Sequence, residues 1–562
     1  MRNGCSISKL NALTALLLIQ LNFVVHAAPA LPDSGQTMRE LQQQPELSAP
    51  KTTTPLRLEE EATASKSVAV DDARIEVKAV KVTGNTVFPA DELEALATNL
   101  IGGEHTLAEL EAVAMRITTH YRERGYVIAR AYIPVQEIKE GVVAISVMEG
   151  RIGEWRVNNR SRLSDERANN YLNGIKSGDT LQAKPVDRAI LLLNDMPGVG
   201  SARATLQPGA SVGTSDLLIE LDPSTPYAAS AELDNYGNYY TGEYRLGGIL
   251  ALNSPLKIGD QITLRAMTTD QDMTYARLAY QVPVGGSGLK LGVAYSDVGY
   301  RLGKEFAALQ AHGTATSSSL FAVYPFIRSL TSNFSGTFTL EDKKLNDRID
   351  ATSTFADKRV LLVNFGLAGN HQSATGGAGA TSFDLSLVKG NLSMDADSLA
   401  HDNLLCNGAF TRLAYSINHQ QRLTDTNSLS LSLSGQQASK NLNSSEKFSL
   451  GGANAVRAFP QGEGDGDEGW LVNMELRHDF TPALQGAMFY DAGSVSINRN
   501  PFVSGTANTR SISGAGLGAN ATMAGVQIKT YLAWRTSGGL PIAEPATLNR
   551  NPRLWLQASK QF

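Results

Sequence analysis

At 562 residues the chain is too long for one ordinary soluble domain, and 50 Lys and Arg against 55 Asp and Glu give it a formal net charge of −5. That mildly acidic balance offers nothing to a nucleic-acid partner. Only Cys5 and Cys406 are present, too few for a thiolate metal cluster.

The first residues read as an export leader. Arg2 and Lys9 flank the start of an apolar run from Leu10 to Val25, and Val25-His26-Ala27 fits a small-residue cleavage site. We expect residues 1–27 to be removed, with Ala30 as a second candidate cleavage point. A retained anchor would need a longer run, and Asn11, Gln20 and Asn22 interrupt this one. Cys5 leaves with the leader, so no intramolecular disulfide can form. No later apolar run approaches the ~18 residues of a membrane helix. A membrane role must therefore use strands that close on themselves.

In the region 28–45, DSGQTMRELQQQ reads as a short polar helix capped by Asp33 or Ser34. Its apolar residues, Met38 and Leu41 among them, are too few to bury it against a core. Residues 46–73 mix Pro, Thr, Ser and Ala with the acidic triplet Glu59–Glu61 and show no periodicity, as a flexible linker does. On the residues alone, a disordered N-terminus is an equal alternative to helix plus tether.

Residues 74–150 form a first α/β module. VKAVKVTGN alternates and ends in a turn; ADELEALATNLI is a helix candidate; Thr106 and Glu109 make a capping box ahead of a second helix. Leu107, Leu110, Val113, Ala114, Ile117 and Tyr121 give that helix one apolar face. VIARAYIP and GVVAISVMEG complete a β-α-α-β-β order. Residues 151–223 repeat it, with GEWRVNN, helices near 164–174 and 183–194, then ARATLQPG and SDLLIELDP. Sheet edges in such modules can accept an extended peptide by strand addition.

From about residue 224 onward helical periodicity stops. QITLRAMT, LKLGVAYSDVGYRL, NFSGTFTLED and SLSLSLSG alternate every second residue between Gly, Asn, Asp and Ser turns. Residues 224–562, at roughly 20 per strand and connection, hold about 16 strands of an antiparallel membrane barrel, apolar outside and polar inside. A soluble sandwich array or propeller is the alternative, but no blade-length repeat is present. At the terminus RLWLQASKQF, Leu554, Leu556, Ala558 and Phe562 share a face that Lys560 interrupts.

The densest local signal is LGGANAVRAFPQGEGDGDEGW at 450–470, with Arg457 between Val456 and Phe459, read with FYDAGSV, which carries Asp491 and Gly493. A guanidinium can bond a carboxylate bidentately, and a solvated loop arginine is the alternative. Glu463, Asp465, Asp467 and Glu468 resemble the start of a calcium loop. The sixth position is Glu468 where Gly is required, and the twelfth is Met474 where Glu is required, so a glycine hinge is the preferred reading. No H-x-x-x-H or H-E-x-x-H spacing occurs, the G-x-S-x-G match GASVG at 209–213 joins two strand candidates and so makes no strand-to-helix elbow, and GGAGA and GAGLG lack a following helix. No enzyme, cofactor or metal is expected.

YRERGYVIARAYIPVQEI, GVVAISVMEGRI and LQPGASVGTSDLLIELDP resemble the two polypeptide-transport-associated (POTRA) domains of two-partner secretion transporters, the haemolysin secretion/activation family. GQTMRELQQQ is similar to the helix that sits in the pore of such proteins. DNYGNYYTGEYRLGGILALNSPLKIGDQITL resembles their first barrel hairpin, 450–470 their inward loop, FYDAGSV their F-x-D-x-G strand, and Phe562 a barrel-assembly signal. Ala458 stands where the loop motif usually has Gly, which would strain a left-handed backbone.

The resemblance implies an outer-membrane protein of a Gram-negative bacterium, with two periplasmic POTRA domains ahead of a 16-stranded barrel. Met38 and Leu41 would belong to a plug helix, and Val456, Arg457, Phe459, Asp491 and Gly493 to a loop–barrel lock. It further implies capture and nucleotide-independent export of the unfolded secretion domain of a large β-helical exoprotein: an adhesin, cytolysin or haem-acquisition protein. The barrel assembly machinery and outer-membrane lipid would be its other partners. A barrel-insertion factor of the same superfamily is the alternative, and a passive porin a third.

Overall fold

The computed structural model describes residues 31–42, 57–58, 74–373, 379–501 and 507–562. The leader read over 1–27 and most of the linker lie outside the described residues. Sixteen strands, from Tyr227–Asp234 to Arg553–Gln561, close into one barrel in which each pairs antiparallel with its chain neighbour and the last pairs with the first. Closure leaves no backbone edge for lipid to strand unpaired. The longest strands are Ala311–Arg328, Ser332–Ile349 and Thr354–Gln372.

The wall alternates, as the period of two requires. In Leu289–Arg301, Val293 and Tyr295 are exposed on the outer face, while Ala294, Val298 and Tyr300 are buried toward the lumen. Part of that inner face departs from the expected polar interior, which holds at Ser296, Ser317, Lys343, Glu475 and Asp491. Met267, Tyr275, Val298, Ala315 and Leu345 are apolar, buried and in one cluster. The physical reason is that this lumen is filled by the protein's own chain, and a filled lumen packs like a core.

The first module pairs Ala79–Thr83 parallel with Val142–Met148, which pairs antiparallel with Arg130–Tyr132. Helix Leu107–Glu123 covers the sheet, its Thr106–Glu109 capping box formed, with Leu110, Val113, Ala114, Ile117 and Tyr121 buried. Leu107 departs from the expected face; at the first helical position it turns outward and is 48% exposed. A short strand not foreseen, Gly103–His105, joins Ile75–Val77. The buried Glu149 carboxylate ties the module together, accepting from Tyr121 Oη at 2.9 Å, Val87 N at 2.8 Å and Thr86 N at 2.6 Å.

In the second module Arg151–Asn159 runs parallel to Thr214–Pro223, itself antiparallel to Val199–Pro208. Helix Ala183–Asn194 is pinned by Asn194, which donates to Ala202 O at 2.9 Å and accepts from Ala202 N at 2.7 Å. The edge strand Val199–Pro208 is not bare. Arg57–Leu58, inside the span read as flexible linker, pairs with it in parallel at Thr205 and Leu206. An unpaired edge recruits any nearby extended chain, and here the tether supplies one. Asp195 at the end of the helix receives Arg328 of the barrel through Nε at 2.7 Å and Nη2 at 2.9 Å, joining module to wall.

Candidate functional site: an occupied lumen

Two pieces of chain occupy the barrel. The first is the helix Ser34–Gln42. Asp33 is its N-cap, accepting from Gln36 N at 2.8 Å and, through its carbonyl, from Thr37 N at 3.0 Å. The helix is more buried than its composition implied: Met38 is 0% and Leu41 2% exposed, because it is wedged between three wall strands, Leu289–Arg301, Ala311–Arg328 and Ser332–Ile349, and the Ser444–Glu446 turn of the inward connection. Both pack into the apolar cluster of the inner wall, and Ser296 Oγ lies 3.9 Å from Met38 Sδ. Polar contacts fix its two ends. Ser34 N donates to Asp347 at 2.8 Å, Ser444 Oγ donates to Asp33 at 2.7 Å, and Gln42 donates to Glu341 at 3.1 Å.

The second piece is the connection from Ser439 to Asp467, between strands Asn427–Ala438 and Glu468–Thr481. It begins before the expected 450–470 and ends earlier, since 468–470 already belong to the wall. A small hairpin, Phe448–Ser449 against Asp465–Gly466, folds it inward. Its tip delivers Arg457 to the inner face of the wall. There Asp491 accepts Arg457 Nε at 2.9 Å, Nη2 at 2.8 Å and the Arg457 backbone N at 3.1 Å. A second carboxylate, Glu475, takes Nη1 at 2.7 Å. The guanidinium lies 3.4 Å from the Phe489 ring centroid and 4.8 Å from that of Tyr531. Asn473 donates to both Asp491 at 2.8 Å and Ala455 O at 2.9 Å. Trp555 Nε1 donates to Arg457 O at 2.7 Å.

Apolar contacts seat the same tip. Leu450, Val456, Ala458 and Phe459 are fully buried with Leu471, Phe489, Val495 and Ile512. Two glycines make room: a Cβ on Gly493 would lie 2.6 Å from Leu450, and one on Gly514 only 2.4 Å from the Ala458 Cβ. Ala458 is not among the residues with positive φ, so the departure from Gly carries no left-handed strain. The opposite wall glycine accommodates its methyl instead.

The acidic run is not a hinge of free carboxylates. Glu463 is held by Arg510 at 2.5 Å and by the backbone N of Ile542 and Ala543; Asp465 by Arg39 of the lumen helix at 2.5 Å; Asp467 by Lys447 at 2.9 Å; Glu468 by Arg499 at 3.1 Å. Every one of these carboxylates faces a cation of its own, and the four diverge. At the C-terminus Leu554, Leu556 and Phe562 face outward, and the Lys560 ammonium sits 5.3 Å from the Phe562 ring centroid.

Sequence reasoning did not find Glu475, Asn473, Trp555 or Arg39. Glu475 and Asn473 share the inward phase of one strand, and Asn473 is the registered partner of Asp491, so strand phase could have flagged them. Arg39 and Trp555 lie too far along the chain for any local pattern.

The blocked 16-strand barrel and its two modules agree with a family model, "Haemolysin secretion/activation protein ShlB/FhaC/HecB", which matches residues 213–521. The chain belongs to that family. A ShlB-type POTRA model matches residues 75–150. The heme/hemopexin transporter protein HuxB of Haemophilus influenzae is 28% identical over 97% of this chain and 98% of its own. Outer membrane transporter CdiB of Dickeya dadantii is 24% identical over 71% and 72%. The structure of CdiB from Escherichia coli superposes with a TM-score of 0.71 at 20% identity, covering 94% of this chain and 96% of that one. This is a two-partner secretion barrel of the outer membrane of a Gram-negative bacterium, its modules in the periplasm. The end of the barrel opposite the modules, which carries the Ser439–Asp467 connection, is therefore the cell surface.

Proposed function

We propose that the periplasmic modules bind an unfolded N-terminal segment of a large exoprotein and that the barrel then exports it without nucleotide. The observation that carries this reading is the parallel pairing of Arg57–Leu58 on the edge of the second module. That edge already holds an extended strand, so it has the hydrogen-bonding geometry a captured segment needs. The tether that occupies it leads back toward the helix in the lumen, so a strand that displaces the tether also frees the connection to the plug. Blockage by a nine-residue helix and a loop, rather than by the wall, supports a conduit that opens by removing them. No catalytic or cofactor chemistry is required, because folding of the cargo outside can bias its movement. A haem-acquisition exoprotein is the first cargo class to try, by analogy with the relative named as a heme/hemopexin transporter. Adhesins and cytolysins follow.

The test is export in cells making this chain together with a candidate exoprotein. Deleting residues 76–222 should abolish export while the barrel still inserts. Normal export by that variant would end the capture reading, and enhanced assembly of other barrels without export would favour an insertion factor.

A further inference from the structure

The inner wall carries an apolar track that neither the loop lock nor the plug's polar anchors explain. Met267, Tyr275, Val298, Ala315 and Leu345 are successive cross-strand partners on five adjacent strands, so they form one unbroken row. On the next three strands the apolar residues resume at a register shifted by two: Leu345 is paired with Lys358, and Val360 with Lys343. There Val360 is registered with Leu392, and Leu362 with Gly390, which is registered with Phe410. Gly390 leaves the space that the Phe410 ring and the Leu362 side chain fill. All of these residues but the glycine are buried apolar members of the lumen cluster. The two runs together lie on eight of the sixteen strands, while the Arg457 network holds the opposite part of the wall.

Water-filled barrels carry polar groups on this face, and a lumen-facing apolar row needs an occupant. The helix Ser34–Gln42 offers it Met38 and Leu41, two side chains from an otherwise polar segment. Those two side chains cover only part of it, and the chain's own loops cover the rest through Leu302, Cys406 and Leu442 among others, so the whole surface is capped by segments outside the wall. We infer that the row is a sliding surface for the exported polypeptide, and that Met38 and Leu41 hold the place of its apolar side chains. The inference rests on the conduit reading above and adds what the conduit recognises: an extended chain with apolar residues at alternate positions, the pattern of a strand not yet folded. Apolar contact is non-directional, so the row would tolerate many sequences. It would also hold each only briefly, as passage through a pore requires binding that is weak and distributed.

The experiment is single-channel recording of the full-length protein in a planar bilayer, with two synthetic peptides of equal length and charge. One alternates valine and threonine, the other serine and threonine. During openings, blocks by the valine peptide should last about tenfold longer. The double variant Val298→Asn/Leu362→Asn should bring the two peptides to within about twofold, read as the ratio of their block times in the same open channel. Equal block times in the unchanged protein would overturn the inference without recourse to any variant. So would a full difference persisting in the double variant. Export in cells does not enter the measurement. A protein that discriminates the peptides but exports nothing sinks the secretory reading alone, and one that exports but does not discriminate sinks only the sliding surface.

Discussion

Arg39 of the lumen helix and Asp465 of the inward loop are bonded to each other, Nη2 to Oδ2 at 2.5 Å, with Arg39 Nη1 on Ser444 O at 2.6 Å. The two obstructions are thus one assembly. Arg39 is 4% exposed, and neither its Nε nor Asp465 Oδ1 has another partner among the described residues. Breaking one side of a buried pair strands the other charge, at a cost of about 3–5 kcal/mol. Arg39→Ala and Asp465→Asn should each raise the frequency of large openings in planar bilayers. The double variant should do little more than either single one. Additive effects would show that helix and loop are held independently.

Arg457 serves two carboxylates and two rings, which a lysine ammonium cannot do. Arg457→Lys should lose most of what Arg457→Ala loses, again about 3–5 kcal/mol of loop docking. Exchanging charges with Asp491 should fail to restore it, since an aspartate at 457 would face Glu475 and leave Phe489 and Tyr531 without a cation. Protease cleavage of the loop in intact cells reads docking directly. Protection regained by the exchange would show that Asp491 is the sole partner that matters.

Ala458 and Gly514 make a second-site pair. Gly514→Ala brings two Cβ atoms to 2.4 Å and should expel the loop tip. Adding Ala458→Gly should return it, because the space the methyl vacates is the space the new Cβ needs. The same protease assay checks this, and failure of the rescue would place the conflict at Trp534 O, which also lies close to that Cβ.

In the first periplasmic module burial pushes the Glu149 carboxyl up, but hydrogen bonds from Thr86, Val87 and Tyr121 outweigh it and hold it below the usual range. A lowered native pKa stabilises above the unfolded value of about 4.3. The contribution is lost as pH falls through the lowered native value. The module should therefore hold at neutral pH and loosen in strong acid. Glu149→Gln should cost about 1–3 kcal/mol at neutral pH and flatten that acid dependence. Limited proteolysis of the periplasmic region across pH measures both.

Much of the fold was legible because local rules and tertiary demands agree. The capping box at Thr106 starts the helix it announces, and period-two alternation marks the barrel strands. The departures all arise where one part of the chain supplies an environment for another. Met38 and Leu41 look insufficient for burial until one side of the wall and the inward connection close on them. Arg57–Leu58 has no strand pattern, and takes its conformation from an edge some 150 residues away in sequence. Arg457 was conspicuous, but Glu475 was one more lumen-phase carboxylate until the loop bent back toward it.

Trp555 lies on the last strand of the chain, and its indole holds the loop tip through the Arg457 carbonyl. That same strand meets the first over only five registered pairs, Ser230–Asp234 with Gln557–Gln561, against eighteen between Ser332–Ile349 and Thr354–Gln372. The tip therefore spans from the Asp491 strand to the seam where the cylinder is joined. The strand that seals the cylinder is thus also one of those that hold the stopper in its bore, and loosening the seam would loosen the seat of the loop tip with it.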